Sequence, residues 1–300
     1  MSATPASVSQ PEEIIYIDGK FYPKSEAKIS VFDHGLLYGD GIFEGLRFYK
    51  RNIFRLAEHL DRLFSSAKYI LLNIPLTREQ ITEALCETCR RNPYEDGYIR
   101  LMVTRGDGPL GLNPYSCTNP TIIIIASKIS LYPEQFYREG LPIVTVTTRR
   151  TAPDSLSPRV KSLNYLNNIM AKIEAVHCGV LEAIMLDHNG YIVECTADNF
   201  FIVKKGIIYT PPVYQGALKG ITRDAMIELA REEGIEVKEE RLTLFEAYDA
   251  DEAFLTGTAA EAVPISSIDR RIMGDGKPGP ITMRLTEKFK AITPLQGVKF

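Results

Sequence analysis

The chain has 300 residues, 45% of them hydrophobic and 24% charged, and a formal net charge of -3. That balance belongs to a globular chain long enough for a sizeable core and for two domains. It excludes the basic excess with which proteins hold nucleic acid or anionic membrane surfaces, and no apolar run is long enough to span a bilayer.

Residues 1–12, MSATPASVSQPE, are small, polar and proline-containing. They lack the apolar centre of a signal peptide and are expected to form a frayed tail on a cytoplasmic protein. Ile14 to Tyr22 reads as a hairpin turning at Asp18-Gly19. Ile42 to Tyr49 is rich in strand formers. From Leu56 to Leu71, the apolar residues Leu56, Leu60, Leu63, Ala67 and Ile70 share one helical face. Thr77 with Gln80 three residues on forms a capping-box pattern that opens the next helix. Strands are expected over Tyr98 to Thr104 and Thr121 to Ser127, joined by a Gly/Pro-rich loop of functional length and composition, RGDGPLGLNPYSC.

Ser130 to Gly140 has no strand period and is punctuated by Pro133 and Gly140. It divides the chain into a small N-terminal domain (1–129), a linker (130–140) and a larger C-terminal domain (141–300). The second part opens with a strand over Leu141 to Thr148. A helix follows Lys161, then a meander with hairpin turns at Asn189-Gly190 and Lys205-Gly206. A helix is expected near Thr222, strands near Ile235 and from Glu252, and a terminal helix with Pro280 in its first turn. Meandering strands set apart from helices give an α+β fold in two lobes.

Cys86 and Cys89 form a lone C-x-x-C inside the helix that opens at Thr77. Four ligands make a structural zinc site and no second pair exists, so these are read as packing residues and no metal is expected. An odd count of five cysteines suits a reducing compartment. The four histidines are not at metal-ligand spacing. His188 lies in a turn and reads as solvated, and His59 as a surface or packing residue. The phosphate-loop, dinucleotide, nucleophile-elbow and H-E-x-x-H motifs are all absent.

Four features remain. Gly220 precedes a helix whose start, near Ile221 or Thr222, presents free N–H groups to an anion; the plain alternative is a well-capped helix with Thr222 as N-cap. Thr256 to Ala260 are small residues at a strand end, where a backbone can approach a ligand closely. Glu194 ends a strand and, if buried, needs a cationic partner. Lys161 is an amine just ahead of a helix. Pyridoxal phosphate requires one of each: a lysine for its aldehyde, an anion site for its phosphate and a carboxylate for its ring nitrogen.

The sequence resembles the class IV pyridoxal-phosphate aminotransferases, the fold shared by branched-chain and D-amino acid aminotransferases. The resemblance runs from about Ile14 to Ile292 through YGDGIFEGLRFY, EHLDRL, YIRLMVTRGDGPLG, KSLNYLNN, EAIMLDHNGYIVECTADNFF, LKGITRDA and FLTGTAAEAVPI. It implies pyridoxal 5'-phosphate as cofactor, Lys161 as its Schiff-base lysine and general base, and Glu194 as the partner of the ring nitrogen. It implies a phosphate cup from Arg62, Gly220, Ile221, Thr222, Gly257 and Thr258, with Tyr165 beside the phenolic oxygen. The spacing of Tyr38, Phe43, Gly45 and Arg47 and the GTAAE motif resemble the branched-chain enzymes. In these, Tyr98 and the amides near Thr258 and Ala259 hold the substrate α-carboxylate. Arg100 receives the side chain of glutamate, and Tyr38, Phe43 and Tyr165 form an apolar wall. The implied reaction is ping-pong transfer of the amino group between leucine, isoleucine or valine and 2-oxoglutarate, in a homodimer or larger assembly. A D-amino acid aminotransferase and an aminodeoxychorismate lyase are the alternative activities of this fold. Arg149, Arg150 and Arg159 carry no assignment.

Overall fold

The computed structural model describes residues 12–300, so the expected tail falls almost wholly outside the described residues. The first lobe opens with a hairpin, β1 (Ile14–Ile17) and β2 (Lys20–Pro23), in which Asp18 and Gly19 both take positive φ. There follow α1 (His34–Tyr38), β3 (Gly41–Tyr49), β4 (Asn52–Phe54), α2 (Leu56–Tyr69), α3 (Arg78–Arg90), β5 (Gly97–Thr104) and β6 (Thr121–Ser127). The capping box at Thr77 is closed from both sides: Gln80 N donates to Thr77 Oγ1 and Thr77 N to Gln80 Oε1.

The segment expected to be a linker carries α4 (Glu134–Glu139). Beyond it come β7 (Leu141–Thr145), α5 (Leu166–His177), β8 (Glu182–Leu186), β9 (Ile192–Cys195), β10 (Asn199–Lys204), β11 (Ile207–Thr210), α6 (Ile221–Glu232), β12 (Val237–Glu239), α7 (Leu244–Tyr248), β13 (Glu252–Gly257), β14 (Glu261–Ile268), β15 (Arg271–Ile272), α8 (Pro280–Ile292) and β16 (Gly297–Lys299). The strand expected to reach Thr148 ends at Thr145. No helix among the described residues is long and apolar enough to cross a membrane.

Two sheets organise these elements. The first has the order β16-β4-β3-β5-β6-β1-β2 and the second β12-β11-β10-β13-β14-β7-β8-β9, with β15 beside β14. All pairs of the first sheet are antiparallel, whereas β14–β7, β7–β8 and β11–β12 are parallel. The first sheet is not built from the first part of the chain alone. Residues 297–299 return to pair with β4, Gly297 opposite Phe54, and three residues carry no readable period.

The core of the first lobe joins α2 and α3 to the sheet: Leu56, Leu60, Leu63, Ile81 and Leu85 meet Ile42, Leu46, Phe48, Ile99 and Leu101. Cys86 and Cys89 are buried in it, and burial pushes both thiols above their ordinary value, so they pack rather than react. In the second lobe, α6 and α8 cover one region of the sheet with Phe201, Phe254, Met226, Leu285 and Phe289.

The N-terminus of α8 is capped from another element. Glu252, buried at the start of β13, accepts from Ile281 N at 3.1 Å, Thr282 N at 2.8 Å and Thr282 Oγ1 at 2.7 Å. Gly279, the residue at the N-cap position, has no side chain to do this. Glu252→Ala is therefore expected to lower stability by about 2 kcal/mol. The check is a lower denaturant midpoint at unchanged slope; an unchanged midpoint would show that the cap contributes nothing.

Candidate active site

A cavity of about 420 Å³ lies where β3 and β5 of the first sheet face β9, the end of β13 and the start of α6. Lys161 reaches it from a segment laid against β3. Phe43 N donates to Lys161 O at 2.9 Å and Leu163 N donates to Gly41 O at 3.0 Å. The lysine backbone is thus pinned to the first lobe, while α5 begins five residues later in the second. Lys161 Nζ donates to Tyr165 Oη at 3.2 Å and stands 4.6 Å from the centre of the Phe43 ring. Tyr165 packs edge-on against Phe43 at 5.0 Å. Among the lining residues Lys161 is the one lysine.

Glu194 lies deep in the cavity at the end of β9. Arg150 Nε donates to its Oε1 at 2.7 Å, and Leu218 N to its Oε2 at 3.0 Å. Both charged residues are buried, so the pair satisfies the requirement that a buried carboxylate meet a cation. Arg150 Nη1 also donates to Asn168 Oδ1. Arg150 is a residue for which sequence reasoning offered no place: its partner lies across the fold.

The helix start expected to face an anion is the N-terminus of α6, whose first residues line the cavity. Its N-cap is Gly220, with no side-chain cap. The helix begins at Ile221, one of the two expected starts; the alternative of Thr222 as N-cap is corrected, because the cap lies two residues earlier and Thr222 falls in the first turn. Arg62 on α2 enters from the opposite lobe. Its Nε and Nη2 hold Glu44 Oε1 and Oε2 at 2.8 and 2.7 Å, and its Nη1 donates to Lys219 O at 2.7 Å. His59 Nδ1 lies 2.7 Å from Glu44 Oε2. Burial alone would push the Glu44 carboxyl up, but Arg62, and after it His59, hold it at about 2. His59 is therefore neither a surface residue nor an apolar packing residue, since its ring closes a buried ionic cluster. Glu44 had a signal in the sequence: along IFEGLRF it shares the core face with Ile42, Leu46 and Phe48, where a lone carboxylate demands a partner.

The wall nearest the first sheet alternates as a strand should. Phe43 and Gly45 point into the cavity with Tyr98 and Arg100 of β5 opposite, Gly45 pairing with Arg100. A Cβ on Gly45 would meet Tyr98 Oη at 2.1 Å, so glycine is what lets the tyrosine lie across the strand. The Arg100 guanidinium rests on the Phe43 ring at 4.4 Å. Thr256, Gly257, Thr258 and Ala259 close the far side.

Of the residues expected at the site, Lys161, Arg62, Tyr165, Glu194, Gly220, Ile221, Thr222, Gly257, Thr258, Ala259, Phe43, Gly45, Tyr98 and Arg100 all line this one cavity. Tyr38 does not. It ends α1, half-exposed, with its ring on His34 at 4.9 Å and its hydroxyl accepting from Gly111 N at 3.0 Å. The left-handed turn at Gly39 separates α1 from β3 and keeps it off the Phe43 wall.

The profile of the family described as Amino-transferase class IV matches residues 41–268. A Methanocaldococcus jannaschii protein, provisionally named branched-chain-amino-acid aminotransferase, is 54% identical over 285 residues, 95% of this chain and 98% of its own length. The crystal structure of the Escherichia coli branched-chain amino acid aminotransferase superposes with a TM-score of 0.92 at 36% identity, covering 96% of each chain. That of the branched-chain aminotransferase from the thermophilic archaeon Thermoproteus uzoniensis, with norvaline, does so at 0.88 and 37% identity, covering 94% of this chain and 95% of its own. With a family match over most of its length and a two-lobed fold superposing on those enzymes, this chain belongs to the class IV aminotransferases.

Proposed function

We propose that the protein transfers the amino group between branched-chain L-amino acids and 2-oxoglutarate in a ping-pong reaction, with pyridoxal 5'-phosphate as cofactor. The reading rests on one observation: a single cavity gathers a lone lysine, a buried carboxylate and an uncapped helix N-terminus beside an arginine. The donor set fits the cofactor. Thr256 Oγ1 is buried in the wall without a hydrogen-bond partner. At Gly220 and Gly257 a Cβ would collide with Asn199 Oδ1 and Asp198 Oδ1 at 2.1 and 1.9 Å, so glycine lets both turns pack directly against those side chains.

When bound, the cofactor supplies an aldehyde that condenses with amines and a protonated ring that draws electrons from the bond being broken. The residues supply the rest. Arg62, the amides of Ile221 and Thr222, and Thr258 hold the phosphate. Glu194, itself oriented by Arg150 and Leu218 N, keeps a proton on the ring nitrogen. Lys161 Nζ, the one amine in the cavity, would hold the cofactor by its aldehyde and would be placed to move the proton at the donor Cα. Tyr98 and the amides of Thr258 and Ala259 bind the α-carboxylate. Phe43 and Tyr165 offer an apolar surface. Such a wall separates side chains differing by one methylene by only about 1–3 kcal/mol, so leucine, isoleucine and valine should all react. Arg100, lying on the Phe43 ring at the wall, can turn to the side-chain carboxylate of glutamate without being stranded by an apolar substrate.

We also infer a cytoplasmic homo-oligomer. The exposed side of α5 carries Leu166, Ile169, Met170, Ile173 and Val176, a stripe suited to a second copy, and a substrate role for Tyr38 depends on such a copy. A donor panel with 2-oxoglutarate tests the reaction. L-leucine, L-isoleucine and L-valine are expected to react within about two orders of magnitude of one another. Turnover of D-alanine with none of the three would overturn the assignment.

A further inference from the structure

Behind the Gly257 end of the cavity, Tyr132, Glu182 and Asp198 meet in a buried group that the proposed reaction leaves unused. The three residues are 3%, 0% and 4% exposed. Tyr132 Oη lies 3.0 Å from Glu182 Oε2 and 2.8 Å from Asp198 Oδ2. A phenol has one proton to donate, so it can donate to one carboxyl and must accept from the other. Glu182 is already committed as an acceptor. Its Oε1 takes the amides of Ala183 and Thr196 at 2.7 and 2.8 Å, and the Lys172 ammonium stands 3.6 Å from its Oε2. Among the described residues only Tyr132 reaches the Asp198 carboxyl by a hydrogen bond. The arrangement that satisfies all three places the proton on Asp198, donating to Tyr132, with Tyr132 donating to Glu182.

Asp198 also faces the active-site cavity, beside Thr258 and Ala259. Its Oδ1 abuts the turn, where a Cβ on Gly257 would come within 1.9 Å of it. An ionised carboxylate there would oppose any anion bound by the amides of the same turn. We propose that Tyr132 and Glu182 hold Asp198 as a neutral carboxylic acid, and that this neutrality lets the Gly257–Ala259 turn accept an anionic carboxylate. The inference rests on the aminotransferase reading, which gives that turn its carboxylate. Asp198 touches no reacting atom. It is a positioning residue that sets the charge of the wall.

The groups around it favour the neutral form. Burial, and after it the Glu182 charge on β8, pushes Asp198 up to about 7, and Glu194 on β9 acts in the same sense. Cys195 on β9 is a buried thiol pushed well above its ordinary value. Tyr137 on α4 is pushed up to about 12, chiefly by burial. Two groups act the other way: the Tyr132 hydroxyl, in so far as it donates to Asp198 rather than to Glu182, and Lys172 on α5, whose ammonium lies on the Glu182 side. Asp198 should therefore lose its proton as the pH rises through neutrality, and carboxylate affinity should fall with it.

The test uses holoenzyme and two readouts. Infrared difference spectra between about pH 6 and about pH 9 should show, in the wild type, a protonated-carboxyl C=O band that disappears as the pH rises. The band should be missing in Asp198→Asn and displaced in Tyr132→Phe. Calorimetric titration with 4-methylvalerate should show wild-type affinity falling about tenfold more than that of Asp198→Asn over that range, as expected for a ligand coupled to the group by about one pKa unit. A wild type without the band, or an Asp198→Asn variant with the wild-type pH dependence, overturns the proposal. Amino transfer without the band overturns the proposal alone. The band without transfer from any donor overturns the reading of the reaction, and the carboxylate half of the proposal with it.

Discussion

Lys161→Ala is expected to lower amino transfer from L-leucine by about 10³-fold or more, with the fold intact. The loss is large because two tasks fall on one atom. In the proposed reaction Lys161 Nζ would both hold the cofactor through its aldehyde and move the Cα proton, and positioned proton transfer alone contributes about 10²–10⁴-fold. No other lysine lines the cavity to replace it. Stability should hold, because the amine makes one side-chain hydrogen bond, to Tyr165 Oη, and is not fully buried. Lys161→Arg should not rescue activity, since a guanidinium keeps its proton. Rates, the absorption band of the protein-bound cofactor and thermal unfolding are measured together. Retention of both turnover and the band in Lys161→Ala would remove Lys161 from the mechanism.

The second large effect is structural and catalytic at once. Arg62→Ala should cost about 3–5 kcal/mol of stability, because it strands a fully buried Glu44 beside His59 alone. It should also weaken cofactor binding, and weaken it less for pyridoxal, which has no phosphate for the arginine to hold. The double variant Arg62→Ala with Glu44→Leu should recover much of the lost stability while cofactor binding stays impaired, which separates the two roles. The pH dependence has a definite sign. Glu44 is held at about 2 against an ordinary 4.5. Its stabilisation is therefore fully present above about pH 4.5 and is lost as the pH falls through about 2. Losing Arg62 should flatten that part of the acid unfolding curve. Equal stability of the wild type and Arg62→Ala at neutral pH would show that the buried pair contributes nothing.

Much of the secondary structure was legible because its causes are local. The hairpin at Asp18-Gly19, the capping box at Thr77 and Gln80, and Pro280 at the head of α8 are each set by residues within a few positions. The N-cap of α6 stayed open between Gly220 and Thr222, two residues apart, because glycine and threonine both serve as N-caps, and the difference lies in where the preceding backbone turns. β16 was missed because three residues at a sheet edge gain their order from β4, more than two hundred positions away.

For the site the division runs along the same line. The sequence alone determined the chemical inventory: which lysine, which carboxylate and which helix start to examine, through motifs whose residues are near neighbours in the chain. The tertiary structure decided what those groups meet. It set Lys161 against β3 through Phe43 and Gly41, gave Glu194 its arginine, clamped Arg62 with Glu44 and His59, and left Tyr38 outside the cavity. It also brought Tyr132, Glu182 and Asp198 together. The physical reason is that the charge state and orientation of a buried group depend on its partners, and burial makes each partner decisive. In this chain those partners come from strands and helices that only the fold makes adjacent.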